Sequence, residues 1–137
     1  MFRQIIICAF IIIFCCGFFC RKKEVPFILF SSEPITTGAE LVAKTDFRLG
    51  ERIYYMIFAP KGFNDDVLRI QIIKKNDKGG FEGYTVKYAQ DIVVDIGSKV
   101  YSGSLQLYDS GMYIAQVVEF SNSTMPIAYA VFGVKDD

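Results

Sequence analysis

The first 20 residues of this chain differ in composition from everything that follows. The four cysteines, Cys8, Cys15, Cys16 and Cys20, all lie there, and from Ile5 to Cys20 no side chain is charged. The chain has 137 residues, no histidine and no cysteine beyond that point. The body of the chain therefore has no disulfide framework, no Cys/His zinc site and no mechanism that needs histidine or a cysteine nucleophile.

The apolar run at the amino terminus fits the apolar segment of a signal peptide better than a permanent membrane span. It covers the 16 residues from Ile5 to Cys20, with Arg3 before it and three basic residues directly after it. As an α-helix at 1.5 Å per residue it would extend roughly 24 Å, whereas the hydrocarbon core of a bilayer is about 30 Å thick. A basic start, a short apolar segment and an abrupt return of charge are typical of a signal peptide. We therefore expect residues 1–19 to form a hydrophobic signal helix.

The end of this run resembles the end of a bacterial lipoprotein signal peptide. Gly17, Phe18 and Phe19 precede Cys20, and basic residues follow it, a pattern similar to a relaxed lipobox. The resemblance implies that the thiol of Cys20 receives a diacylglyceryl group, that the chain is cut before this cysteine, and that fatty acids such as palmitate acylate the new amino terminus. Two or three acyl chains make a stable membrane anchor, whereas one does not.

Two alternatives for the amino terminus stay open. Cys16 or Cys15 is acylated in place of Cys20, or the whole segment stays as an uncleaved anchor. In an uncleaved anchor, the basic residues after the run favour the cytoplasmic side, which counts against export of the domain. The lipoprotein interpretation predicts a protein of the cell envelope, held in the outer membrane on its periplasmic or surface face. In this interpretation the acylated amino terminus binds the lipid bilayer.

The rest of the chain has the length of one domain and almost no net charge. Arg3 is the only charged side chain in residues 1–19, so residues 20–137 keep 14 basic and 15 acidic side chains and a net charge of −1. This balance lacks the basic excess of a nucleic-acid-binding protein. We expect a lipidated tether over residues 20–34 and a single domain over residues 35–137.

Strand signals dominate this domain. Leu68, Ile70 and Ile72 alternate with Arg69 and Gln71, the pattern of a strand with one buried face. No segment after residue 24 keeps a 3.6-residue period over three turns. Turn residues separate seven predicted strands: Glu51–Ala59, Val67–Lys74, Glu82–Tyr88, Gln90–Val94, Lys99–Leu107, Met112–Phe120 and Ile127–Val134. Short strands at this spacing predict an all-β fold, an antiparallel sandwich or barrel.

One motif favours a particular sandwich. Asp109, Gly111 and Tyr113 have the D-x-G-x-Y spacing found at the start of strand F in immunoglobulin-like domains. There the tyrosine forms a corner, with its hydroxyl bonded to nearby backbone and its ring packed inward. The two-residue period puts Tyr113, Ala115 and Val117 on the core face. The domain thus resembles an immunoglobulin-like sandwich of about seven strands without the usual disulfide. A plain hairpin turn with a core tyrosine is the alternative.

No catalytic or cofactor-binding motif stands out in the domain. Ser98 and Lys99 are the nearest serine–lysine pair, but consecutive strand residues point to opposite faces. Phosphate-binding glycine motifs do not occur in the sequence. Four acidic residues match no calcium-loop spacing: Asp65 and Asp66 in a predicted loop, and Asp91 and Asp95 on either side of residues 92–94. We therefore expect no metal, no cofactor and no catalytic residues. The enzymatic alternative is a pair of carboxylates, or a tyrosine, that only folding brings into place.

Tyrosines are the remaining sign of a binding surface, since exposed tyrosine gives a large contact area at a low entropy cost. Tyr54 and Tyr55 are predicted to point to opposite faces of one strand. We expect a non-enzymatic cell-envelope lipoprotein whose domain binds a protein or carbohydrate or serves as a structural accessory. The alternative is an immunoglobulin-like inhibitor or periplasmic accessory that uses loops at one end of the sandwich: Pro60–Asp66, Asn76–Gly83 and Ser121–Pro126.

Overall fold

The computed structural model describes residues 24–36, 42–76 and 83–136, and within these ranges the chain forms eight strands and no helix. The strands are β1 (Phe27–Ser31), β2 (Asp46–Arg48), β3 (Arg52–Phe58), β4 (Val67–Lys75), β5 (Tyr84–Val93), β6 (Val100–Gln106), β7 (Gly111–Glu119) and β8 (Ala128–Lys135). The all-β class predicted from the sequence is thereby confirmed. The expected signal helix and Cys20 lie outside the described residues. No helix long and apolar enough to cross a membrane occurs among the residues described.

The strands build two sheets that face each other. One sheet has three strands in the order β1-β3-β6, and the other has five in the order β2-β8-β7-β4-β5. Neighbouring strands are antiparallel except β2 and β8, which run parallel with Asp46 opposite Gly133. The expectation of a wholly antiparallel sandwich is therefore wrong at this pair. β2 begins beside the end of β1, where the backbone N–H of Lys44 donates to the Phe30 carbonyl oxygen at 2.8 Å, and its partner β8 lies at the far end of the chain. Local alternation does not encode a pairing over this distance, so the sequence pattern gave no sign of a parallel pair.

Two strands lie before the first one predicted. β1 falls inside the expected tether of residues 20–34, yet it pairs with β3 over five residues, from Phe27 opposite Phe58 to Ser31 opposite Tyr54. The fold therefore starts before residue 35, and the structure has eight strands where about seven were expected. The sequence missed β1 because it is short and directly follows a charged segment.

The strands predicted over Glu82–Tyr88 and Gln90–Val94 are one continuous strand, β5. Ile72 lies opposite Tyr88 and Ile73 opposite Val86, so β5 carries one extra residue at this point. Such a β-bulge shifts the alternation of faces without ending the strand. The broken alternation is the reason that the sequence indicated two strands.

The core lies between the sheets and follows the predicted alternation. The residues predicted for the core faces of β4 and β7 are all fully buried: Leu68, Ile70, Ile72, Tyr113, Ala115 and Val117. This confirms both predicted faces. Aromatic rings join the early strands to this core, with the ring centroid of Phe132 4.7 Å from that of Phe30 in β1 and 6.1 Å from that of Phe47 in β2.

Candidate functional site

The structure brings Asp109, Gly111 and Tyr113 together where the chain passes from β6 to β7. The Tyr113 hydroxyl donates a hydrogen bond to the backbone carbonyl oxygen of Asp109 at 2.5 Å, and the ring is fully buried. Burial raises the pKa of Tyr113, and the negative charge of Asp109 raises it further. Gly111 has a φ of +144°, a backbone conformation that residues other than glycine rarely adopt. These contacts hold the turn between the two sheets.

The Asp109 carboxylate also binds two lysines that the sequence analysis did not connect with it. Its Oδ2 lies 2.8 Å from Nζ of Lys74 in β4 and 3.3 Å from Nζ of Lys87 in β5. Hydrogen bonds from Lys74 and then Lys87 lower the pKa of Asp109. These contacts link the β6–β7 connection to β4 and β5.

A row of apolar side chains crosses the outer face of the five-stranded sheet. Val86, Ile73, Ile114 and Val131 are direct neighbours on β5, β4, β7 and β8, each opposite the next in the register. Val86 is 55% exposed and Val131 49%, while the two isoleucines between them are half-buried. We call these four residues the outer stripe. Within the described part of the chain, no other element covers it.

Polar side chains border the outer stripe toward the amino-terminal ends of β4 and β8. In the neighbouring row, the Gln116 side-chain amide donates to that of Gln71 at 2.6 Å. One row further, Arg69 and Asp91 form a two-point ion pair of 2.6 and 2.9 Å, which lowers the pKa of Asp91. An apolar centre with a hydrogen-bonded border is the make-up of a protein–protein contact surface.

The tyrosines are distributed among the core, the outer faces of both sheets and the β6–β7 connection. Tyr55 is buried and Tyr54, next to it, is half-buried on the other side of β3, which confirms that the two point to opposite faces. Burial raises the pKa of Tyr55, with smaller contributions from Tyr101 and Tyr88. Three further tyrosines are exposed. Tyr84 and Tyr129 each lie two residues from a member of the outer stripe, on the same face of the sheet. Tyr108 lies in the β6–β7 connection. The sequence suggested that some tyrosines form a binding surface, but it did not indicate which tyrosines lie on the same surface.

The candidate loops of the inhibitor hypothesis do not all lie together. The connections containing Pro60–Asp66 and Ser121–Pro126 share one end of the sandwich, where the Ser121 backbone N–H donates to Oδ2 of Asp65 at 2.6 Å. The Asn76–Gly83 connection, described only at its two terminal residues, joins β4 to β5 at the opposite end. The expectation of three loops at one end is therefore wrong for Asn76–Gly83, because an antiparallel hairpin turns at the far end of β4.

Two of the four acidic residues considered as ligands have other contacts. Asp91 pairs with Arg69, and Asp65 accepts hydrogen bonds from the backbone around it. Across residues 24–36, 42–76 and 83–136, no group of three or more acidic, histidine or cysteine side chains is placed to hold a metal ion. Ser98 and Lys99 lie in the connection before β6, where the Ser98 carbonyl oxygen accepts a hydrogen bond from Phe63.

Comparison with known proteins gives similarity of structure only. No protein-family model matches the sequence, and no curated protein does. The soluble domain of PmoD from Methylocystis sp. ATCC 49242 (Rockwell) is 13% identical with a TM-score of 0.53, over 80% of this chain and 90% of that one. This likeness shows a shared fold.

Two further structures are more distant. A superoxide reductase (neelaredoxin) from Ignicoccus hospitalis is 9% identical with a TM-score of 0.46, over 83% of this chain and 81% of that one. An immunoglobulin-like protein from Pseudomonas aeruginosa is 12% identical with a TM-score of 0.47, over 82% of this chain and 94% of that one. Neither likeness carries an argument about function.

Proposed function

We propose that the protein is a non-enzymatic lipoprotein of the cell envelope, anchored by acyl chains on Cys20, whose immunoglobulin-like domain binds another protein through the outer stripe. The observation that carries the binding role is the uncovered apolar row across four strands, bordered by hydrogen-bonded polar side chains. The row is aliphatic, and an apolar centre with a polar border suits contact with another protein. Tyr84 and Tyr129 lie beside it on the same face and enlarge the area that a partner protein can cover.

Strand order supports the immunoglobulin-like class. Such domains place strands A, B and E in one sheet and G, F and C in the other. Here β1, β3 and β6 form one sheet, and β8, β7 and β4 are consecutive in the other, with β5 added beside β4. Tyr113 stands at the start of β7, the strand in the F position, and its hydroxyl bonds four residues upstream, as in a tyrosine corner.

The anchor is supported by the amino-terminal sequence and is tested by acylation. We expect the full-length protein to incorporate radiolabelled palmitate in a bacterial host, and the Cys20→Ser variant to lose that label. Cys16→Ser is the matched control and should keep the label, because Cys16 is then removed with the signal peptide. Label retained by Cys20→Ser, or lost from Cys16→Ser, would place the acylation elsewhere.

The binding role is tested by site-specific photocrosslinking in cells. A photoreactive phenylalanine analogue at Val131 in the outer stripe should give a covalent adduct of one discrete mass. The same analogue at Tyr108, which is 76% exposed but away from the stripe, is the control and should give none. A second change in the stripe, Val86→Asp, should abolish the Val131 adduct because it places a charge in the apolar row. An adduct that forms equally from both positions, or survives Val86→Asp, would refute the assignment of the stripe.

A further inference from the structure

The end of the sandwich where the described chain begins is built from four segments. They are the start of β1 and the connections at residues 59–66, 94–99 and 120–127. Phe27 lies opposite Phe58 in the register, and Phe58 lies opposite Val100, so the first strand starts where β3 ends and β6 begins. We call this the N-terminal end.

Hydrogen bonds join these connections into one surface. The backbone N–H of Phe63 donates to the Ser98 carbonyl oxygen at 2.8 Å. The backbone N–H of Asn64 donates to the carboxylate of Glu119 at 2.9 Å, and Asp65 accepts from the Ser121 backbone. The connections of the N-terminal end are therefore held in fixed positions relative to one another.

Large apolar side chains project from this end into solvent. Ile96 is 68% exposed and Phe120 58%, and each comes from a different connection. One face of the Phe120 ring lies against the Arg69 guanidinium, 5.6 Å from the ring centroid, and the rest of the ring is open. Three more exposed residues lie in the chain before β1, at its first position and in the β7–β8 connection: Val25, Phe27 and Met125. Single exposed apolar residues are ordinary, but several at one end of a domain mark a contact surface.

The chain enters the domain at this same end through a short segment. Six residues, 21–26, separate Cys20 from Phe27, and six residues reach at most about 22 Å when fully extended. The headgroup layer adds roughly 5–8 Å to each side of the hydrocarbon core. With Cys20 at the membrane, the N-terminal end therefore lies within reach of the bilayer surface.

We propose that the N-terminal end rests on the lipid bilayer, with the side chains of Ile96, Phe120 and their apolar neighbours inserted at the boundary between headgroups and acyl chains. The inference rests on the proposed anchor at Cys20 and adds an orientation to it. The described carboxylates of this end outnumber Lys61 and Lys99: Glu24, Asp65, Asp66 and Asp95. The two lysines of this end therefore do not explain its contact with lipid, and the apolar side chains carry it.

This orientation leaves the outer stripe accessible. The strands run away from the N-terminal end, so the faces of the sheets stand upright on the membrane. The stripe then points sideways, parallel to the membrane plane, toward a neighbouring envelope protein.

Tryptophan fluorescence tests the orientation because the chain contains no tryptophan. The acylated full-length protein is reconstituted in phosphatidylcholine vesicles with and without brominated acyl chains, as Phe120→Trp, Ile96→Trp and, for control, Tyr108→Trp at the opposite end. Bromine quenches only fluorophores close to the acyl chains. We expect Phe120→Trp and Ile96→Trp to lose most of their emission in brominated vesicles and to emit at shorter wavelength, and Tyr108→Trp to show neither change.

Flotation of the same samples distinguishes failure of the proposed lipid anchor from failure of the proposed orientation. Protein that floats with the vesicles but shows unquenched tryptophan at both residues 96 and 120 retains its anchor and overturns the proposed orientation. Equal quenching of Tyr108→Trp also overturns it, because both ends would then meet lipid. Protein that fails to float overturns the anchor, and the orientation falls with it.

Discussion

At the scale of single residues, Asp109 explains how the passage between the sheets is held. Its carboxylate binds lysines from two strands, and its backbone carbonyl accepts the hydroxyl of Tyr113. Gly111 lies between these two residues, and a Cβ at this position would lie 2.7 Å from Cε of Lys74. The D-x-G-x-Y spacing therefore has a separate physical reason at each of its three positions.

Gly111→Ala should lower the free energy of unfolding by about 1–3 kcal/mol, since it strains the backbone and forces Lys74 to move. Gly97→Ala is the matched control. Gly97 also has a positive φ, of +83°, but a Cβ there would meet nothing within 4 Å. Urea denaturation should therefore show a smaller loss for Gly97→Ala. An equal loss in the two variants would contradict the greater cost expected at Gly111, where the φ is less accessible to alanine and Lys74 must move.

At the scale of elements, β1 decides where the domain begins. It pairs along β3 and places Phe30, only 3% exposed, against Phe132 of the other sheet. The edge strand is thus part of the core and not of a tether. A domain that starts at Phe27 also leaves only a short segment after Cys20, which limits how far the fold can lie from a lipid anchor.

Phe30→Ala should lower the free energy of unfolding by about 3–5 kcal/mol, the range for removing a buried aromatic ring. Phe27→Ala changes the same residue type in the same strand, where the side chain is 39% exposed. Its loss should be much smaller. Small and equal losses would instead support the tether over residues 20–34, because β1 would then contribute little to the core.

At the scale of the whole molecule, the sandwich presents one apolar sheet face and one apolar end. Elsewhere on the domain, several carboxylates accept hydrogen bonds that lower their pKa. The Lys44 side chain and the Arg48 backbone N–H donate to Glu51, the Ser121 backbone to Asp65, and Arg69 to Asp91. The charged forms of these groups therefore stabilise the fold.

Stability should fall in acid and stay level near neutrality. A carboxyl whose pKa is lowered in the fold stabilises it above the unfolded value, about 4, and loses this contribution as the pH falls through the folded value. The chain has no histidine, so little titrates between about pH 5 and 7. Urea midpoints should be constant over that range and fall below about pH 4.

Asp109→Asn is the control for the acid prediction. This variant lacks the Asp109 carboxylate, one of the groups whose pKa is lowered in the fold. Its urea midpoint should therefore be lower than that of the unchanged protein at neutral pH and should fall less steeply on acidification. A midpoint that rises on acidification in the unchanged protein would contradict the sign of these shifts.

Local patterns were sufficient where one strand has one buried face. The alternation in β4 and β7 predicted their core residues, because a two-residue period is encoded within each strand. Prediction from alternation failed where a strand is stabilised by contacts with residues far away in the sequence. β1 is held by Phe132, about a hundred residues distant in sequence, and the bulge in β5 shifts the alternation at Ile73.

The sequence by itself determined that the body of the chain is all β, that it lacks cysteine and histidine chemistry, and which faces of its longer strands are buried. Only the tertiary structure decided that Val86, Ile73, Ile114 and Val131 form one row, that two candidate loops share an end while the third does not, and that two lysines meet Asp109. The physical reason is that alternation is a local property of each strand. Strand order and register arise from long-range pairing, which local patterns leave open.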